Sequence, residues 1–115
     1  MKDVKIKGLR PTMRVKKRFL RIRVISQSEF DFKTLSFAIN NYLLKQLGAY
    51  EFGNLGVWII REKFNYKEQE LILKVKIEGV EKVRAFLALP FTIDKSTIHC
   101  ECQKVSGTLK GVMRN

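Results

Sequence analysis

Arg21 and Arg23 are the residues whose type and spacing most clearly indicate a chemical role. They alternate with the apolar residues Leu20, Ile22 and Val24, and a period of two is typical of a strand that buries one face. The other face would then carry two guanidinium groups, whose forked N–H donors match phosphate oxygens. The pattern therefore predicts that the open face of this strand binds an anion.

The positive charge of the chain is concentrated at its two ends. Of 115 residues with a formal net charge of +12, residues 1–23 contribute ten Lys or Arg and one Asp, residues 24–103 are balanced, and residues 104–115 add three basic residues. Positive charge concentrated at the two ends of the chain predicts that a polyanion binds near the termini. The alternative is a solvated charge run, or a localisation signal at Lys16, Lys17 and Arg18.

His99, Cys100 and Cys102 resemble a metal cluster at first sight. Strand alternation, however, places both thiols on the core face and the imidazole on the other face. A structural zinc site needs four convergent ligands, and the sequence has one His and two Cys. We therefore expect buried, reduced thiols, no metal site and no disulfide framework.

Catalytic motifs are missing from the sequence. It contains no Gly-rich phosphate loop, zinc-helix motif or nucleophile elbow. Glu29, Glu51, Glu62 and Glu101 are scattered over predicted loops and strands, with no evident pairing. We expect a chain with no active site and no cofactor of its own.

Apolar runs in the sequence are short. None approaches the about 18 residues that a membrane-spanning helix requires, and Arg21 and Arg23 interrupt the one candidate signal-peptide core. We therefore expect a cytoplasmic protein with no membrane partner.

Periodicity places the charged residues on specific elements. Strands are predicted at 19–26, 55–62, 70–77 and 97–105, and helices at 31–47, capped by Ser28 or Asp31, and at 80–89. This β-α-β-β-α-β order predicts an α+β, ferredoxin-like (RRM-like) sandwich: an antiparallel four-stranded sheet with two helices on one face. We expect a single domain, 1–115, with a basic arm at 1–18 and a basic tail at 106–115.

The ferredoxin-like topology would make the first and third strands neighbours. Arg21 and Arg23 would then share the open face with Lys74 and Lys76, and together form a basic platform. Taken alone, the two lysines are better explained as residues of a solvent-facing sheet, but together with Arg21 and Arg23 they favour binding. Because the third strand has no aromatic residue and the first offers only Phe19, we expect contacts to phosphate rather than to splayed bases.

Trp58 and Ile60 lie on the predicted second strand, which would be an edge strand. Apolar residues on both faces of an edge strand favour binding of a protein partner. Two interpretations remain open: burial in the core or under the C-terminal tail, or a subunit interface.

Four segments of the chain, taken in order, resemble the archaeal RNase P protein component 2 family, which is related to the eukaryotic Pop-type small subunit of RNase P and RNase MRP. They are LRPTMRVKKRFL, GVWI, VRAFLAL and VSGTLKG, and the resemblance covers residues 9–111. Phe19 and Val15 stand where the family often has a tyrosine and a second proline.

The resemblance implies a ferredoxin-like subunit of the ribonucleoprotein that removes 5′ leaders from precursor tRNA. In that family the RNA is the catalyst and uses magnesium ions, while the protein supports the catalytic domain of the RNA. The implied partners are RNase P RNA, precursor tRNA, a TIM-barrel-like protein subunit and other RNase P proteins, with self-association in the particle.

Our hypothesis is that the basic arm and the arginines of the first strand neutralise phosphates and so lower the magnesium requirement of the RNA. The candidate RNA-binding residues are Arg10, Arg14, Lys16, Lys17, Arg18, Arg21, Arg23, Lys74, Lys76 and Lys110. Two alternatives are a generic basic RNA-binding protein of ribosomal type, and a protein–protein adaptor whose basic ends are incidental.

Overall fold

The computed structural model describes residues 16–114. Most of the predicted basic arm, including Arg10 and Arg14, lies outside the described residues. Along the chain the elements are β1 (Lys17–Ile25), α1 (Phe32–Leu47), α2 (Ala49–Leu55), β2 (Trp58–Ile59), β3 (Glu70–Lys76), α3 (Val80–Ala88), β4 (Phe91–Ile93), β5 (Ser96–Ser106) and α4 (Leu109–Met113), with 3-10 turns at Arg61–Lys63 and Ile77–Gly79.

β1 alternates between a buried and an open face. Leu20, Ile22 and Val24 are buried, whereas Arg21 and Arg23 between them are half-buried, as the period of two predicted. The strand starts at Lys17 rather than at the predicted residue 19, so the end of the basic arm is part of the sheet.

α1 forms where local signals predicted it. The Asp31 carboxylate accepts a hydrogen bond from the Thr34 N–H at 2.8 Å. Hydrogen bonding from the Thr34 side chain and from its backbone lowers the pKa of Asp31. Leu35, Ile39 and Leu43 are buried because a spacing of four residues keeps them on one face. The helix ends at Gly48, which has a φ of +85°.

The segment after α1 differs from the prediction of a loop followed by a long strand. Residues 49–55 form α2, and the second strand contains only Trp58 and Ile59. Leu55 at the end of α2 is buried in the core. A Cβ on Gly79 would approach the Leu55 side chain to 2.7 Å, so the lack of a side chain at Gly79 makes room for α2 to pack.

A short strand, β4, precedes the last long strand and was missed in the sequence. It forms a hairpin with β5, in which Phe91 pairs with Ile98. Asp94 and Lys95 in the turn both have positive φ, the backbone of a type I′ turn, which Asn-Gly sequences usually mark. The Phe91 ring stacks on Tyr42 of α1 at 4.0 Å between centroids, so this strand depends on a tertiary contact.

The sheet is antiparallel, with the strand order β2-β3-β1-β5-β4. β1 and β3 are neighbours and β2 is an edge strand, as predicted. Within residues 16–114 the sheet nevertheless has five strands rather than four, and there are four α-helices rather than two. The main core lies on one face, where Leu20 and Leu73 of the sheet cluster with residues of α1 and α3.

α4 lies within the segment that was predicted to be a tail. The Thr108 hydroxyl caps it by accepting from the Gly111 N–H at 3.0 Å, and Val112 is fully buried. α4 contacts β1 and β5. Among the helices that the structure describes, none combines the length and the apolarity needed to cross a membrane.

Candidate nucleic-acid interface

The face of the sheet opposite the main core carries a cluster of lysines. In the β1–β3 register, Lys17 pairs with Lys76 and Phe19 pairs with Lys74. Opposite residues in an antiparallel pair point to the same face. Lys74 and Lys76 therefore share a face with Arg21 and Arg23, the arrangement that the sequence predicted.

The lysines at one end of this face have no carboxylate partner. Within residues 16–114, none of Lys17, Lys74 and Lys76 forms an ion pair. We call these three residues the lysine cluster. Lys16 immediately precedes β1 and is exposed, and strand alternation does not place it on this face. Since like charges directly opposite each other destabilise a sheet, the cluster is a place where an anion would relieve repulsion.

Arg23, at the other end of the face, is already neutralised. Its Nη2 lies 3.2 Å from Glu68 Oε1 and 3.1 Å from Glu70 Oε2. Glu101 of β5 pairs with Arg23 in the register on the other side. Arg23 was predicted to bind RNA together with the other basic residues of this face, but these acidic neighbours give its end of the face a different electrostatic character.

The C-terminal segment covers the middle of the face. The Arg114 carbonyl accepts hydrogen bonds from Arg21 Nη1 at 3.4 Å and from Lys104 Nζ at 3.2 Å. Ile72 lies on the open face by strand alternation, opposite Arg21, yet it is only 1% exposed and lies outside the main core cluster. Arg21 therefore bonds to the protein itself, while Lys110 remains exposed on α4.

Arg18 lies apart from the lysine cluster. It follows Lys17 in the strand, so it points to the side of Leu20 rather than to the open face. Its Nη1 donates to the Lys17 carbonyl at 3.0 Å, and the side chain borders Gly107.

Trp58 joins the open face from the edge strand. In the β2–β3 register Trp58 pairs with Lys74, whereas Ile59 pairs with Leu73 in the core. Trp58 is 63% exposed, so it belongs neither to the core nor to a covered layer beneath the tail. Ile60 is half-buried, and its N–H donates to the Ile72 carbonyl at 2.8 Å. The position of Trp58 beside Lys74 is not visible in the sequence, because strand register is a tertiary property.

The thiols lie on the face that alternation predicted. Cys100 is buried in the core and Cys102 packs against it. Burial raises the pKa of the Cys100 thiol to about 12 and also raises the pKa of Cys102. His99 lies 3.8 Å from Glu101 Oε2. In the described part of the chain, no three His, Cys, Asp or Glu side chains are grouped so as to hold a metal ion.

Comparison with known proteins identifies the family. A family model described as the Rpp14/Pop5 family matches residues 18–115. The chain belongs to the Rpp14/Pop5 family. The matched segment of this family member includes all of β1 except Lys17, and it includes β2 with Trp58 and β3 with Lys74 and Lys76.

Relatives of this Rpp14/Pop5 family member include two archaeal proteins named ribonuclease P protein component 2. The protein from Pyrococcus furiosus is 32% identical over 108 residues, which cover 94% of this chain and 88% of the relative. The protein from Methanobrevibacter smithii is 28% identical over 116 residues, covering 96% and 97%.

A solved structure is similar to this chain in fold. A chain in the cryo-EM structure of yeast ribonuclease MRP superposes with a TM-score of 0.66, at 11% identity, and the match covers 84% of this chain and 77% of that one. At this identity the likeness concerns the arrangement of strands and helices.

Proposed function

We propose that this chain supports the catalytic domain of ribonuclease P RNA by neutralising phosphates with its lysine cluster. Family membership makes the chain a protein subunit of ribonuclease P or ribonuclease MRP. The observation that supports the electrostatic role is the juxtaposition of Lys17 and Lys76, without a carboxylate partner in the described residues.

The lysine cluster matches the chemistry of a folded RNA. Phosphates of neighbouring RNA segments repel each other, and each bound lysine displaces a condensed counterion. The cluster lies where the basic residues of positions 1–15 join β1, so the charged segment and the sheet surface are continuous in sequence. Protein cations in this position would replace part of the magnesium that the RNA needs to fold and act.

In this proposal the chain itself performs no chemistry. The RNA is the catalyst and holds the magnesium ions, and the reaction is endonucleolytic removal of 5′ leaders from precursor tRNA. The proposal includes location in the cytoplasm. We also propose that the fold is ferredoxin-like. Its four strands would be β2-β3-β1-β5, in that order in the sheet, and β4 would be an added hairpin strand.

Protein partners are a further part of the proposal. We expect a TIM-barrel-like ribonuclease P subunit, other ribonuclease P proteins and a second copy of this chain in the particle. A groove of about 800 Å³ between α1 and β4 supports a protein contact on the side away from the lysine cluster. Phe37 in this groove is 71% exposed, which is costly in water and useful at an interface.

Binding of the full chain to ribonuclease P RNA, measured over a range of salt concentrations, tests the proposal. If about four phosphates are engaged, log affinity falls with log salt at a slope of roughly −3 to −3.5. A generic basic RNA-binding protein would bind unrelated structured RNA equally well and would not stimulate leader removal. A nearly flat salt dependence would contradict phosphate neutralisation.

A further inference from the structure

An exposed indole stands directly beside a cation on the open face. Trp58 is 63% exposed and pairs with Lys74, which pairs on its other side with Phe19 of β1. These three residues form one row across three adjacent strands. Neighbouring strands are about 5 Å apart, so Lys74 has an aromatic residue at about that distance on each side.

Burial in the core does not explain Trp58. Its neighbour Ile59 occupies the core position of the short strand and is 8% exposed. The indole instead leaves most of its surface in water, and a large exposed aromatic side chain forgoes the hydrophobic stabilisation that burial would provide. An indole in this position gains hydrophobic stabilisation only when a planar group of a ligand stacks on it.

We infer that Trp58 is a stacking site for an unpaired nucleobase of RNA, with the Lys74 ammonium group beside it binding the phosphate of the same or the next nucleotide. The inference rests on the proposed function, because it presumes that the lysine cluster faces RNA. The base must be unpaired, since a base inside a duplex has both its faces covered by its neighbours. Stacking on an indole tolerates any base, because every base has a flat π-face.

The charges around Trp58 favour RNA over a protein segment. Lys74 and Lys76 have no ion pair in the part of the chain that the structure describes. An apolar protein partner on Trp58 would have to remove water from these ammonium groups without replacing it, which is costly. A nucleotide supplies both a ring for the indole and an anionic oxygen for the lysine.

The experiment uses the fluorescence of Trp58, which is the only tryptophan of the chain. The full-length protein is titrated with a single-stranded oligoribonucleotide and, separately, with inorganic polyphosphate of equal charge. We expect the oligoribonucleotide to quench the fluorescence strongly, and polyphosphate to bind with little quenching. Trp58→Ala should weaken binding of the oligoribonucleotide by about five- to a hundredfold and leave the salt slope unchanged.

Two further variants control for folding and for loss of an aromatic ring in general. Trp58→Phe keeps a stacking ring and should restore most of the affinity. Tyr50→Ala removes another exposed aromatic, on α2, and should have no effect on binding. Circular dichroism of each variant checks that the fold is retained.

The possible outcomes separate this inference from the proposed function. Salt-dependent RNA binding without quenching, and with equal affinity for Trp58→Ala, would overturn the stacking site and leave phosphate neutralisation intact. Failure of the wild-type chain to bind any RNA would overturn both. Normal RNA affinity of Trp58→Ala with loss of assembly with the protein subunits would instead assign Trp58 to a protein interface.

Discussion

Lys17 lies directly opposite Lys76 on neighbouring antiparallel strands, on the face of the sheet that the main core does not use. In the described residues, no carboxylate forms an ion pair with either of them. A like-charged cross-strand pair costs stability, so the arrangement is best explained by an external anion.

Removal of one charge from the Lys17–Lys76 pair should weaken RNA binding without lowering the stability of the fold. In Lys17→Gln we expect the free energy of unfolding to stay equal or rise by up to about 0.5 kcal/mol, because repulsion from Lys76 is relieved. The slope of log RNA affinity against log salt should become shallower by roughly 0.7–0.9. Urea unfolding and salt-dependent binding measure the two quantities.

Lys45→Gln is the matched control for that change. Lys45 is exposed on α1, which packs on the opposite face of the sheet, and its replacement alters the net charge equally. We expect its salt slope to equal that of the wild type. Equal slopes for both variants would mean that total charge, rather than the lysine cluster, determines binding.

Replacement of Arg23 should lower the stability of the fold and leave RNA affinity almost unchanged, the opposite of the effects expected for Lys17. Because its guanidinium bonds to Glu68 and Glu70, Arg23→Gln should lower the free energy of unfolding by about 1 kcal/mol. RNA affinity should change less than twofold. Thermal unfolding and RNA titration test this, and a loss of affinity comparable to that of Lys17→Gln would place Arg23 in the interface after all.

Gln69 is predicted to be the most sensitive polar residue for folding. It is buried, and its side chain both accepts from the Phe30 N–H at 2.9 Å and donates to the Phe30 carbonyl at 3.1 Å. Gln69→Ala leaves both backbone groups without these partners and should cost about 2–4 kcal/mol. Chemical denaturation measures the cost. Gln103→Ala, at an exposed position of β5, is the control, and an equal loss there would contradict the prediction.

The buried thiol of Cys100 should make stability fall at alkaline pH. Its pKa is about 12 in the folded chain, against a reference value of 9.0. The unfolded chain therefore loses the thiol proton first, and this contribution to stability is present below pH 9 and lost as the pH rises through 12. Between pH 9 and 11, wild type should lose about 2 kcal/mol more than Cys100→Val. An identical pH profile for the two proteins would contradict burial of the thiol.

Local signals were sufficient to predict part of the fold. α1 follows from the Asp31 cap and the four-residue spacing of its apolar residues, and β1 follows from strict alternation. Both signals act over a few neighbouring residues, so they are visible in a single sequence. The pairing of β1 with β3 followed from the order of elements, because few topologies accommodate that order.

Elements that depend on distant contacts were missed or misplaced. β4 is held by the stacking of Phe91 on Tyr42, and α4 by burial of Val112, so neither is marked by a long periodic pattern. The same reason applies to the candidate site. The neutralisation of Arg23 and the position of Trp58 beside Lys74 are set by strand register and by the turn before β3, which a linear sequence does not reveal.

The magnesium requirement of reconstituted ribonuclease P tests the central claim most directly. Leader removal from precursor tRNA is measured against magnesium concentration with the RNA, the partner subunits and one of three proteins. These are the wild-type chain, the triple variant Lys17→Gln, Lys74→Gln and Lys76→Gln, and the control triple variant Lys63→Gln, Lys67→Gln and Lys95→Gln, whose lysines are exposed and lie outside both the lysine cluster and the groove between α1 and β4. We predict that the first variant needs more magnesium for half-maximal activity, that the control matches wild type, and that all three converge at high magnesium. The same magnesium requirement for all three proteins would contradict phosphate neutralisation by the lysine cluster.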